Sequence, residues 1–271
     1  MRSPRAAAGF SLIELVIVIV LIGVLATVSV ALIRQPIDAS ADVQRRARLA
    51  DAADQAMARI SRDLRLALPN SIRTSADGRA IEMLIAPMAG RYRARPRAVP
   101  LPTGDRGDVL DFAVADTSFD LLSSLPSAPF AGQWAVVYNL TASGTQANAW
   151  AGDNRATIAA GSTVDRIALN PGFQFPFPSP SQRVYVVQQA VQYRCANDGR
   201  LLRHAGHAPA LAMAVPPASA ESLLAQDVSL CNFRFQAGDA SRQGLAALSL
   251  AITREGESVS LLKSVHLPNL P

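Results

Sequence analysis

The chain has 271 residues, 49% of them hydrophobic and 17% charged, with a net charge of +5. That composition excludes general disorder and supplies apolar material for one core of ordinary size, or slightly more. Lys263 is the only lysine, so arginine carries nearly all the positive charge, and two arginines, Arg2 and Arg5, precede the first apolar run and leave +3 on the rest. Charge alone does not point to a nucleic-acid partner.

The first element lies in "GFSLIELVIVIVLIGVLATVSV", which opens an apolar run from Phe10 to Ile33. About 24 residues at ~1.5 Å each span the ~30 Å hydrocarbon core of a bilayer. Arg2 and Arg5 on its amino side predict a cytoplasmic start, with everything after the run across the membrane. An ordinary secretory signal would have a shorter apolar stretch followed by a small-x-small cleavage site. Here the small residues Ala6-Ala7-Ala8-Gly9 come before the run. One carboxylate, Glu14, sits inside it. A charge in a membrane helix is costly and marks function, so Glu14 requires a partner.

Beyond Pro36 the pattern stays helical but becomes one-sided. Leu49, Ala53, Met57, Ile60, Leu64 and Leu68 recur at three- and four-residue spacing, and Asp42 stands four before Arg46 as a supporting pair. Pro69-Asn70 ends the element. One helix from Phe10 to about Leu68 is expected, with Pro36 the place for any bend.

After Leu68 the period changes to two. Strands are predicted at 80–86, 108–115, 133–140, 183–195, 200–204, 226–236, 245–254 and 258–267, with turns at Asn197-Asp198-Gly199 and Glu255-Gly256-Glu257. A long helix followed by a run of strands is an α+β arrangement with an antiparallel sheet. No internal repeat is present. Two proline-rich loops interrupt the strands. Residues 87–102 place Arg91, Arg93, Arg95 and Arg97 at alternate positions, a grip for DNA, phospholipid or an acidic partner, or simply a solvated loop. Residues 170–180, "NPGFQFPFPSP", alternate aromatics and prolines, as a subunit contact or as a loop folded over the sheet.

Catalytic signatures are missing: there is no GxSxG, P-loop, GxGxxG, HExxH or CxxC. His204 and His207 form an HxxH in a Gly/Ala/Pro-rich stretch without an obvious third zinc ligand, and read as loop histidines. Asp105, Asp108 and Asp111 lack the spacing of a calcium loop. Asn139-Leu140-Thr141 has the form of a glycosylation sequon at a strand end. Neither an enzyme, a cofactor nor a metal site is expected.

The order basic leader, Gly9, Phe10, then Glu14 within "FSLIEL" resembles the type IV prepilin signal. The resemblance implies a leader over 1–9 removed by a prepilin peptidase, N-methylation of Phe10 by the same enzyme, and a retained helix. It also implies a reason for Glu14: in staggered helices it meets the Phe10 amine of a neighbouring subunit, since a paired buried charge is tolerated where an isolated one is not. The segments that follow are then a transmembrane helix at 10–33, an amphipathic extension at 34–68 and a β-rich domain at 69–271. "RISRDLRLALPNSIR", "VQYRC", "VSLCNFRFQ" and the carboxyl-terminal "GESVSLLKSVHLPNLP" resemble the minor pilins of the mannose-sensitive haemagglutinin (MSHA) pilus, MshO among them, with J-type pseudopilins of type II secretion and W-type minor pilins as close alternatives. Implied partners are the peptidase, other major and minor pilins and an inner-membrane assembly platform. The implied location is the inner membrane, single-pass, with the carboxyl-terminal domain in the periplasm or out on a pilus. A DNA-binding pilin of an uptake fibre is the alternative from another class. In that oxidising compartment the only two cysteines, Cys195 and Cys231, are expected to form a disulfide.

Overall fold

The computed structural model describes residues 11–238 and 242–267, with the side chains of 30–41 outside that description. In chain order its elements are α1 (Leu12–Arg65), β1 (Arg73–Thr74), β2 (Ala80–Ile85), β3 (Met88–Arg91), β4 (Asp116–Asp120), β5 (Trp134–Val137), β6 (Arg155–Thr157), β7 (Arg166–Phe173), β8 (Arg183–Val187), β9 (Gln189–Cys195), β10 (Leu201–His207), β11 (Glu221–Ala225), β12 (Val228–Gln236), β13 (Gly244–Arg254) and β14 (Glu257–Leu267). Contacts divide the chain into two units, Met1–Leu49 and Ala50–Pro271. In the first, Leu12–Ser29 has a mean hydropathy of 2.8 and no buried residue. The helical assignment passes through Pro36 without a break. Asp42 pairs with Arg45, at 3.5 Å.

In the second unit Ala53, Met57, Ile60 and Leu64 are buried at the predicted spacing. The helix stops at Arg65, three residues early, because the chain hands its hydrogen bonds to the sheet. The Leu68 amide donates to the Leu84 carbonyl at 2.7 Å and the Ala86 amide to the Leu66 carbonyl at 2.8 Å. Asn70, at φ 58°, then reverses the direction.

Four antiparallel sheets follow: β1-β2-β9-β10-β11, β12-β13-β14, β3-β8-β5-β6 and β4-β7. The expected α+β class is therefore the observed one. Three local expectations differ. The run 183–195 is two strands in two sheets; it breaks at Gln188, whose amide goes to the Ile85 carbonyl. Residues 108–115 are not a strand, because carboxylates take the amides that a ladder needs: Asp116 accepts from the Asp111 amide and Asp111 from that of Ala113. The strand starts instead at Asp116. Both proline-rich loops contribute strands, β3 and the end of β7. A second core joins the four-stranded and two-stranded sheets around Tyr92, Phe119, Phe175 and Val184, and Trp150 with Leu68, Leu84 and Val187 fills the space beside the first sheet.

The five-stranded sheet holds one buried carboxylate on each side. On the side facing α1, Asp63 accepts from the Tyr193 hydroxyl at 2.7 Å and from Arg203 Nε at 3.0 Å. Burial first, and Asp63 second, push the Tyr193 phenol far above its ordinary range, so it remains a donor. On the other side, register places Arg73, Glu82, Gln192, His204 and Glu221 in one transverse row across all five strands. Arg73 Nε donates to Glu82 Oε2 at 2.6 Å while its guanidinium lies 3.9 Å above the Trp150 ring. His207 reaches the same carboxylate, Nε2 to Oε1 2.7 Å, because a bulge at Gly206 (φ 78°) turns it to that face. The segment 208–218 covers the row, with its carbonyls at Ala210, Leu211 and Ala214 accepting from Arg73 and Gln192.

Cys195 and Cys231 are joined, with Cα atoms 6.3 Å apart, tying β9 to β12 across two sheets. A sequence separation of 36 corresponds on the chain-entropy estimate to about 4 kcal/mol. The paired Cys195→Ser, Cys231→Ser variant should lose roughly that much in urea unfolding, and reductant should reproduce the loss in the parent. The buried His204 gives a second expectation. Burial, then the charge of Arg194, lower its pKa from 6.5, against the pull of Glu221. The unfolded chain therefore takes up the proton first, and stability from this group is full above about pH 6.5 and falls as the pH drops below it. His204→Gln should flatten the parent's slope between about pH 7 and 5 in the same assay; parallel slopes would remove His204 from the acid response.

Candidate functional site

The candidate site is the start of α1. Gly9 and Phe10 lie outside the described residues. Ser11 is the first described residue and caps the helix: its Oγ accepts from the Glu14 amide at 3.3 Å, and its carbonyl from the Leu15 amide at 3.2 Å. Ser11 and Glu14 thus hold the two ends of a Ser-x-x-Glu capping spacing. The spacing is legible in "SLIE", beside the charge of Glu14 and its place after Gly9 and Phe10. Glu14 is exposed, in the first helical turn, where the helix dipole favours a negative group. Leu12, Ile13 and Leu15 around it are exposed at 82%, 71% and 55%. A carboxylate so placed has only apolar neighbours from its own helix.

The remaining candidates are accounted for inside the domain. His204 and His207 are strand residues, not loop residues. Both are buried, and they belong to the row on Glu82. Glu82 escaped notice because a single polar residue within "AIEMLI" looks like the solvent face of an alternating strand, whereas every residue of β2 is buried. Among the described residues no group of three or more His, Cys, Asp or Glu side chains is placed to hold a metal ion. Asp108 is an ion-pair partner of Arg166 at 2.6 Å and accepts from Ser118. Asp105 and Asp111 accept amides of their own loops. Asn139 is buried, donates to the Pro69 carbonyl at 2.8 Å and accepts from the Ala149 amide at 2.8 Å, so the sequon is a structural joint.

The four alternate arginines are not equivalent. Arg93 is mostly buried, 3.8 Å from Asp120, and Arg91, at the end of β3, donates to Gln182 at 3.4 Å. Tyr92 between them is fully buried. A continuous basic grip over 91–97 is therefore not formed. In the second loop Phe173 and Phe175 pack edge to face at 4.9 Å, with Phe175 fully buried. That segment is folded onto the sheet, and Phe177 alone of its aromatics is exposed.

Comparison with known proteins bears on the same end of the chain. No curated protein matches the chain, and no solved structure does. Residues 4–30 match the model of the prokaryotic N-terminal methylation motif, and Gly9, Phe10, Ser11 and Glu14 all fall inside the match. The amino-terminal segment is thus a type IV prepilin-like motif carried on an apolar helix of membrane-spanning length.

Proposed function

We propose that the protein is a structural subunit of a type IV pilus-like assembly, a minor pilin or pseudopilin without catalytic activity of its own. The observation that carries this reading is the methylation motif over 4–30, set directly on the exposed apolar segment Leu12–Ser29. The segment finds no burial within the chain, so it needs a bilayer or other helices around it. Prepilin peptidase cuts between Gly9 and Phe10 and methylates Phe10. The mature helix stays in the inner membrane with the β-rich domain on the periplasmic side, where the Cys195–Cys231 bond is at home. Glu14 pairs with the Phe10 amine of a neighbour and fixes the axial stagger. Resemblance in the carboxyl-terminal third favours an MSHA-type pilus over a type II secretion system. DNA grip by the 91–97 arginines is disfavoured, since Arg93 is turned inward onto Asp120.

Mass spectrometry of the membrane-extracted protein should find N-methylated Phe10 at the terminus, and Gly9→Val should leave the precursor uncut. A mature end after residue 33 would replace this reading with an ordinary secretory signal. Glu14→Ala and Glu14→Gln should both be cleaved and inserted yet fail to co-purify with partner pilins, since breaking a buried charge pair costs about 3–5 kcal/mol. Ser11→Ala removes the cap and keeps the charge, and should cost only about 1 kcal/mol and still assemble. Normal assembly of Glu14→Gln would rule out the charge-pairing role.

A further inference from the structure

We infer that the carboxyl-terminal strand β14 is a subunit contact, at which a second copy of this chain adds its own β14 antiparallel about a two-fold axis. β14 is an eleven-residue strand that, among the described residues, pairs with β13 and with no other strand. The opposite flank of its sheet is already tied: the Phe233 amide donates to the Gly78 carbonyl, the Val228 amide to the Gly199 carbonyl, and Cys231 is bonded to Cys195. β14 is therefore the open edge of that sheet. It contains no proline and shows no register shift against β13. An edge of about 37 Å with unpaired amides and carbonyls is a template for another strand.

The sequence of β14 identifies the occupant. "ESVSLLKSVHL" is close to a palindrome about Leu262. In an antiparallel pair centred there, Leu262 meets Leu262 of the second copy, Ser260 meets Ser264, and Val259 meets Val265. Ser258 meets His266, a polar pair. Because the paired positions share parity, the exposed row Ser258, Ser260, Leu262, Ser264, His266 of one copy continues into the same row of the other. Leu262 stands 76% exposed in that row of small polar side chains, and the two-fold pairing sets an apolar side chain directly opposite it. Lys263 lies opposite Leu261 of the second copy, and its stem covers that side chain. The two ammonium groups are offset by two residues, about 7 Å along the strands, and reach water. The pairing is isologous and uses the one open edge of each three-stranded sheet, so it closes at two copies and does not propagate through this sheet.

This contact goes beyond the assembly reading, and N-methylation of Phe10 in the same sample tests that reading separately. The probe is the full chain in detergent, carrying single cysteines at exposed positions and oxidised mildly. Leu262→Cys should give a reducible dimer, with peptide mapping placing the cross-link at 262. Ser260→Cys alone should stay monomeric, because its counterpart in the second copy lies four residues away, while a mixture of Ser260→Cys and Ser264→Cys should cross-link. Leu262→Asp, at a solvent-exposed site, should keep the thermal unfolding profile and weaken dimerisation at least tenfold in sedimentation. A monomeric Leu262→Cys, or Ser260→Cys self-linking as well as the mixture does, would overturn the proposal. So would cross-linking of Leu262→Cys in cells to a different pilin in place of a second copy.

Discussion

None of the eighteen consecutive residues of α1 from Leu12 to Ser29 is buried, and that unburied apolar surface is the constraint on the rest of the molecule. At about 25 cal/mol per Å² the cost of leaving such a face in water rivals the whole stability of a small domain. The apolar segment fits membrane anchoring, whereas the second unit has its own cores. The periodicity changes accordingly within α1: apolar on every side at first, then apolar on the one face where Ala53, Met57, Ile60 and Leu64 are buried.

The five-stranded sheet meets both of its coverings through buried acids. Asp63 reaches it from α1, and Glu82 belongs to the sheet and gathers Arg73, His207 and Gln192 beneath the 208–218 segment. A buried carboxylate with an arginine partner contributes little net stability compared with an apolar contact of equal size, but it accepts only one geometry. These two groups specify where the helix and the covering segment sit, and the apolar residues around them supply the burial.

Much of this was legible. The two halves of the helix, the hairpin β13–β14 with its Glu255-Gly256 turn, and the cysteine pair follow from periodicity, turn chemistry and compartment. Positive φ at both Glu255 and Gly256 is what a two-residue hairpin connection demands. The illegible parts share a cause: they depend on which strands become neighbours. Glu82 and His207 are 125 residues apart in sequence and meet only through β9 and β10. The stretch 183–195 keeps an unbroken strand-like character while passing from one sheet to another at Gln188, and no local signal marks the passage. At 108–115 strand-forming residues were outcompeted by aspartates that satisfy the backbone locally, a contest that alternation of apolar residues does not register. At the amino terminus the reverse holds, because the motif is contiguous and its meaning does not depend on the fold.

The Cys195–Cys231 link joins residues 36 positions apart. In the proposed topology the amino terminus is held at the membrane while the rest is exported in order. Cys195 then emerges as a lone thiol and meets its partner only after 36 further residues have crossed. On that topology a chain stopped between the two cysteines presents an unpaired thiol to the oxidising compartment, open to mixed disulfides, and the closed bond removes it.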